Sequence, residues 1–353
     1  MHVLHQKQIS WHKDEIDILK GFAIVSVIIL HSLPSELLSS WISILTIYQA
    51  VPIFFILIGR NYGASYLRRR YSTLGAIYSK DYFASNFNRI VLPFLLIFLI
   101  SFLCGLFASE KNMYVGVMNL IGLMPVTGPG NYFITILLQC IFIFPIVFIS
   151  YRKYPNITIF LSILLSFLFE IIAPHIQLLS NNSYLYKSCI FRYIFAIVLG
   201  LWLLGSDDSR SFFKRKLFLV GLSISLLYLL LFSLFKFRIQ FFAPQWQPSI
   251  FISFFYPLFL CLIGMIWLPL IRQCKIMNAF SFIGKSSYHI FLVQILIFSC
   301  GRHYGLLRLI DPHLYHKPTL YFLGAMALLG NIIIAVILGL LFYSIDKDRQ
   351  LSR

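Results

Sequence analysis

A lysine and a histidine share the first apolar stretch of the chain, "DILKGFAIVSVIILH", with His31 eleven residues after Lys20. Imidazole gains or loses its charge near neutral pH, so a histidine in an apolar helix is a candidate general base. A helix that enters a bilayer near Leu19 carries His31 ~18 Å along its axis. That is the outer half of a hydrocarbon core about 30 Å thick. The other reading is a histidine at the outer interface, where Ser32 and Pro34 stop the helix. Lys20 also has two readings: a cytoplasmic contact for an anion, or an anchor that snorkels to headgroups. Arg89, just before "IVLP", has the same two. The run Arg68, Arg69 and Arg70 suits ligand phosphates or lipid headgroups.

Other polar groups in apolar runs are costly and therefore candidates for a substrate path. They are Glu170 in "FLFEIIAPH", Gln139 and Gln294, with Tyr132 at the head of a further run. Each has a plain alternative. Glu170 can mark a helix end at the surface, the glutamines can bond between helices, and Tyr132 can be an interfacial aromatic. No P-loop, GxGxxG, HExxH or GxSxG element is present. The six cysteines form no CxxC pair, so neither a disulfide framework nor a metal site is expected.

The elements that must position these residues are membrane helices. The 353 residues are 59% hydrophobic and 12% charged, about half the charge of a soluble domain. Apolar runs near bilayer length recur along the chain. They are continuous, not the alternating segments of a β-barrel. The expectation is an all-α polytopic integral membrane protein with about ten transmembrane helices. They fall at 17–33, 42–59, 90–108, 131–150, 157–173, 190–205, 217–235, 250–271, 280–300 and 320–343. The net charge of +17 sits in short clusters between the runs, which argues for membrane topology and against nucleic acid. An inside N-terminus puts most of the 29 Lys and Arg on the cytoplasmic side, hence N-in and C-in. The most basic segment is the inner loop from Arg60 to Arg89. The outer loops 109–130, 174–189, 236–249 and 301–319 are modest, so residues 1–353 read as one membrane-embedded domain. The first run follows a charged stretch and lacks an A-x-A-like site, so it is expected to stay as a signal anchor.

The order of several segments resembles the membrane acyltransferase-3 family. "DILKGFAIVSVIILH" is similar to that family's opening, in which a basic residue and Gly precede a histidine by the same spacing. "VPIFFILIGRNYG" resembles its second helix, "FNRIVLPFLL" the Arg-Ile-x-x-Pro start of its third, and "GNYFITILLQCIFIFP" its Tyr-Phe helix. "FSFIGKSSYHIFLVQ" resembles a late helix that often closes on His, where this chain has Gln294. Asn86 and Asn88 stand where family members often carry a second basic residue before the arginine. Many members have a C-terminal hydrolase-like domain, and a chain closing at Arg353 resembles the stand-alone type.

The resemblance implies an inner-membrane O-acyltransferase, with acetyl-CoA as donor substrate and no bound cofactor. The acceptor it implies is a carbohydrate, such as lipopolysaccharide O-antigen or another surface polysaccharide. It makes His31 the essential histidine, with Lys20 and Arg89, and by extension Arg68–Arg70, toward the donor. Two routes stay open at this point: direct proton abstraction by His31, or a covalent acyl-histidine. The rivals are a transporter or flippase of a lipid-linked glycan and an acyltransferase using another donor such as succinyl-CoA.

Overall fold

In the computed structural model the described residues are 13–33, 35–107, 130–205, 215–242, 247–271, 273–300 and 318–351. Most of the outer loops expected at 109–130 and 301–319 lies outside them. All described elements are helical. The long ones are α1 (Lys13–Ser32), α2 (Ala50–Arg68), α3 (Leu92–Phe107), α4 (Tyr132–Lys153) and α5 (Pro155–Ile172). They continue with α6 (Ile194–Leu204), α7 (Lys216–Phe235), α8 (Phe255–Ile271), α9 (Lys275–Lys285), α10 (Ser287–Cys300) and α11 (Pro318–Leu351).

Seven helical segments among the described residues are long and apolar enough to cross a membrane, and eight if the bent α9–α10 pair is one span. The protein is an integral membrane protein. Many large apolar side chains, such as Phe160, Leu234, Trp267 and Phe322, are exposed, as lipid-facing residues are. α1 carries Asp14, Glu15, Asp17 and Lys20 in its first half, and α6 has only 11 residues. Neither passes as an apolar span by itself.

Three boundaries depart from expectation. The second helix runs to Arg68, not 59. Its continuation faces protein: Gly63 lies against Leu201, and Arg60, read as a loop cation, is buried. The single helix expected at 280–300 is broken at Ser286 by a bend of 73°. The last helix has 34 residues, ~51 Å at 1.5 Å each. It outruns the hydrocarbon core, and its final turns carry Asp346, Arg349 and Gln350.

α1 is the hub. Asp14 and Glu15 favour its N-terminal end through the helix dipole. It packs on α2, α8, α9, α10 and α11. Its contact with α9 is backbone on backbone. A Cβ at Gly284 would stand 1.6 Å from the Asp17 carbonyl oxygen, and one at Gly21 would stand 2.1 Å from that of Phe280. Phe22 stacks on Phe280 beside them, at 4.0 Å between centroids.

Gly284→Ala therefore forces the two backbones apart. The expected loss of stability is ~1–3 kcal/mol, read as a lowered unfolding temperature in detergent. Gly75→Ala, which meets nothing within 4 Å, is the control and should leave that temperature in place. Equal behaviour of the two variants would contradict the close contact.

Candidate functional site

His31 ends α1 and is half-buried. Its Nε2 lies 3.2 Å from the point where a Cβ on Gly130 would stand, and Cε2 and Cζ of Phe291 lie 3.4 Å from the same point. Gly130 has φ +88°, the left-handed region that glycine occupies without cost. A side chain there would be strained and would press on the imidazole. Phe298 offers its ring edge to His31 at 6.3 Å between centroids. One residue on, Ser32 Oγ accepts from Asn331 Nδ2 at 3.2 Å and donates to the Ile28 carbonyl at 2.8 Å. The start of α4 and α10 thus meet near the imidazole, and α11 holds the end of α1 through Ser32. α4 begins there, and a helix N-terminus favours negative charge.

A cavity of about 310 Å³ lies between α1, α2, α4, α10, α11 and the turn that carries Arg89. Position along the helices gives it two ends. Lys20, Arg89 and Lys285 stand at one, with Ser287, His289 and Gln350. Phe54, Phe133, Leu137 and Phe291 wall the other, which approaches His31. Among the described residues, three cations and no carboxylate line it. The first end is therefore rich in cations and the second is apolar. A smaller recess of about 50 Å³ shares Tyr62 and Arg89 and adds Arg69.

The cationic end is built by local irregularity. Arg89 sits in a π-helical turn, Phe87–Val91, a rare geometry that recurs at functional sites. Tyr288 donates its hydroxyl to the Ile90 carbonyl at 2.7 Å, so α10 holds that turn. The break at Ser286 turns Lys285 and Ser287 into the cavity from two different helices. Lys20 pairs with Asp17 at 2.6 Å. At the same end, His289 Nε2 meets Asp346 Oδ2 at 3.0 Å. Asp346 Oδ1 accepts from Arg349 Nε at 2.9 Å, and Arg349 Nη2 reaches the Asn88 carbonyl at 3.2 Å. The tail of α11 thereby braces both Arg89's turn and α10.

Of the residues singled out from sequence, Lys20 and Arg89 share the cavity and Arg69 borders it. Arg68 and Arg70 are exposed and outside the lining of both the cavity and the smaller recess. Gln139, Glu170 and Tyr132 lie outside the cavity lining. Gln139 donates to the Ser188 carbonyl at 2.6 Å and accepts from the Ile190 amide at 2.9 Å, tying α4 to the segment before α6. Glu170, read as a possible helix end at the surface, is 1% exposed. It pairs with Arg192 at 3.5 Å and accepts from the Tyr186 hydroxyl. The guanidinium of Arg192 lies over the rings of Tyr186 and Tyr193 at 4.5 and 5.6 Å. Tyr132 stacks with Tyr193, and Gln294 is fully buried on α10. Among the described residues no His, Cys, Asp and Glu cluster could hold a metal ion.

Sequence reasoning missed Lys285, His289 and Asp346. Lys285 and His289 are four residues apart in "GKSSYH", a spacing that suggests one helix face. The break at Ser286 and the reach of α11 were not legible there.

The Glu170–Arg192 pair is a structural bond, and removal of one partner leaves a buried charge. Arg192→Met should lower stability by ~3–5 kcal/mol. The double variant Glu170→Leu/Arg192→Met should lower it by less. Denaturant unfolding of both in detergent checks this, and an equal or larger loss in the double variant would refute the pairing.

The family described as an acyltransferase domain, acyltransferase-3, matches residues 13–344. No curated protein matches the chain, and no solved structure does.

Proposed function

The chain belongs to the membrane acyltransferase-3 family, and on that premise we propose an O-acetyltransferase that serves a cell-surface polysaccharide or lipid-linked glycan. The donor in this reading is cytoplasmic acetyl-CoA. The chain crosses a bacterial inner membrane about ten times, with both termini inside. The count comprises the eight apolar spans together with α1 and the short α6.

The observation that carries the proposal is the two-ended cavity. Its cationic end suits the phosphates of a nucleotide thioester, which charge-assisted bonds from Lys20, Arg89 and Lys285 would hold. Its apolar end suits the pantetheine arm and points the thioester toward His31. Lys20 and His31 lie ~16 Å apart along one rigid helix, a separation fit for a long, narrow donor. The acceptor hydroxyl arrives from the outer side.

In the direct route His31 takes the hydroxyl proton as the oxygen attacks the thioester carbonyl. The carbonyl becomes an oxyanion beside the positive end of α4, where negative charge is favoured. The C–S bond then breaks, the ester forms, and the thiolate takes the proton back from His31. In the covalent route His31 Nε2 attacks first and passes the acetyl group on. Trapped acetyl on His31 after exposure to donor alone selects the second route.

His31→Ala, correctly inserted, should lose acetyl transfer to the glycan altogether. Lys20→Ala and Arg89→Ala should each raise the donor KM about tenfold, the worth of one bond to a charged group. Mass and NMR analysis of the surface glycan with and without the gene reads the outcome in cells. Loss of one acetyl per repeat supports the proposal. Loss of the whole glycan from the surface supports transport instead, and unaltered acylation refutes the enzyme reading.

Gly130→Ala should cut kcat at least tenfold and leave the donor KM near its original value, because it displaces the imidazole and not the cations. Steady-state kinetics check this, with the unfolding temperature as a control. An unchanged kcat would refute the role given to the Gly130 site.

A further inference from the structure

The cavity lining stops short of His31. Phe291 is the lining side chain that comes up to the same point beside Gly130 as His31. Its ring lines the apolar end, and its Cε2 and Cζ meet the same point beside Gly130 as His31 Nε2. Phe133 closes the other side at 4.9 Å between ring centroids. Phe133 is itself wedged against Phe54 and Phe55, at 5.7 and 5.1 Å, so it has little room to turn away. Both rings are buried. Phe54 and Leu137 complete this end, where the described lining side chains carry no lysine or arginine.

We infer that Phe291, against the fixed ring of Phe133, determines which acyl group is transferred: a short, uncharged one. The inference rests on the donor reading above. A thioester that reaches Nε2 must lay its acyl chain against the Phe291 ring. Each added methylene then meets a packed aromatic surface, and overpacking is costly. A terminal carboxylate, as in succinyl, meets an apolar wall with no counter-charge and stays desolvated. The filter is therefore steric toward butyryl and electrostatic toward succinyl. The cationic end, which sees only the nucleotide part, treats every acyl donor alike.

The test uses the full chain in membrane vesicles that contain the host glycan, supplied with radiolabelled acetyl-, propionyl-, butyryl- or succinyl-CoA. The wild type should prefer acetyl to propionyl about tenfold in kcat/KM, the scale of one methylene in an apolar pocket. Butyryl and succinyl should be used less still. Phe291→Ala should raise the butyryl-to-acetyl ratio at least tenfold and leave the succinyl-to-acetyl ratio low. Phe291→Leu, a milder change, should move the butyryl ratio the same way by a smaller factor, which covers a failure of the alanine variant to fold. Lys20→Ala should raise KM for all four donors by one common factor.

Unchanged acyl ratios in an active Phe291 variant would overturn the inference and leave the donor reading intact. Equal use of acetyl and butyryl by the wild type would do the same. Label taken from none of the four donors by the wild type would defeat the donor reading and the filter together.

Discussion

The contact of α1 with α9, backbone against backbone at Gly21 and Gly284, is the constraint on which the rest depends. It sets Asp17 and Lys20 on one helix beside Lys285 on another. A wider separation would pull the lysines apart and open the cavity to lipid. The stiffness of α1 then carries that placement to His31, because a helix fixes the axial distance between two of its residues. One rigid element thus joins the cationic end of the site to its imidazole.

Around that hub, irregular backbone does what side chains alone do not. The π-helical turn at Phe87–Val91 exposes carbonyls that Tyr288 and Arg349 take up, and this anchors Arg89. The break at Ser286 lets two short helices supply Lys285 and Tyr288 from different directions. Gly130, with its positive φ, leaves space beside Nε2. The charges follow the same economy of placement. Glu170 and Arg192 pair with each other deep in the protein, while Lys20, itself paired with Asp17, stands with Arg89 and Lys285 at one end of the cavity.

Much of the helical framework was legible in the sequence, because apolar runs of bilayer length have few other uses. The link of Lys20 to His31 was legible too, since both sit on one helix. Arg60 was misplaced because a basic, glycine-containing segment reads as a loop, yet Gly63 and Ala64 make it a tightly packed helix. Glu170 and Gln139 lie outside the cavity lining, and polarity inside an apolar run has the same signature whether it serves substrate or structure. Their partners, Arg192 and the Ser188–Ile190 backbone, are remote in sequence. His289 with Asp346 and Ser32 with Asn331 are 57 and 299 residues apart. No local pattern announces such pairs, and only packing brings them together.

In the proposed reaction the donor runs from the three cations to His31. A cryo-electron microscopy structure of the full chain with a non-hydrolysable acetyl-CoA analogue tests that most directly. The predicted result has the phosphates within hydrogen-bond distance of Lys20, Arg89 and Lys285, and the acetyl group against Phe291 beside His31 Nε2. An analogue bound away from these cations, or with its acetyl group remote from His31, would contradict it.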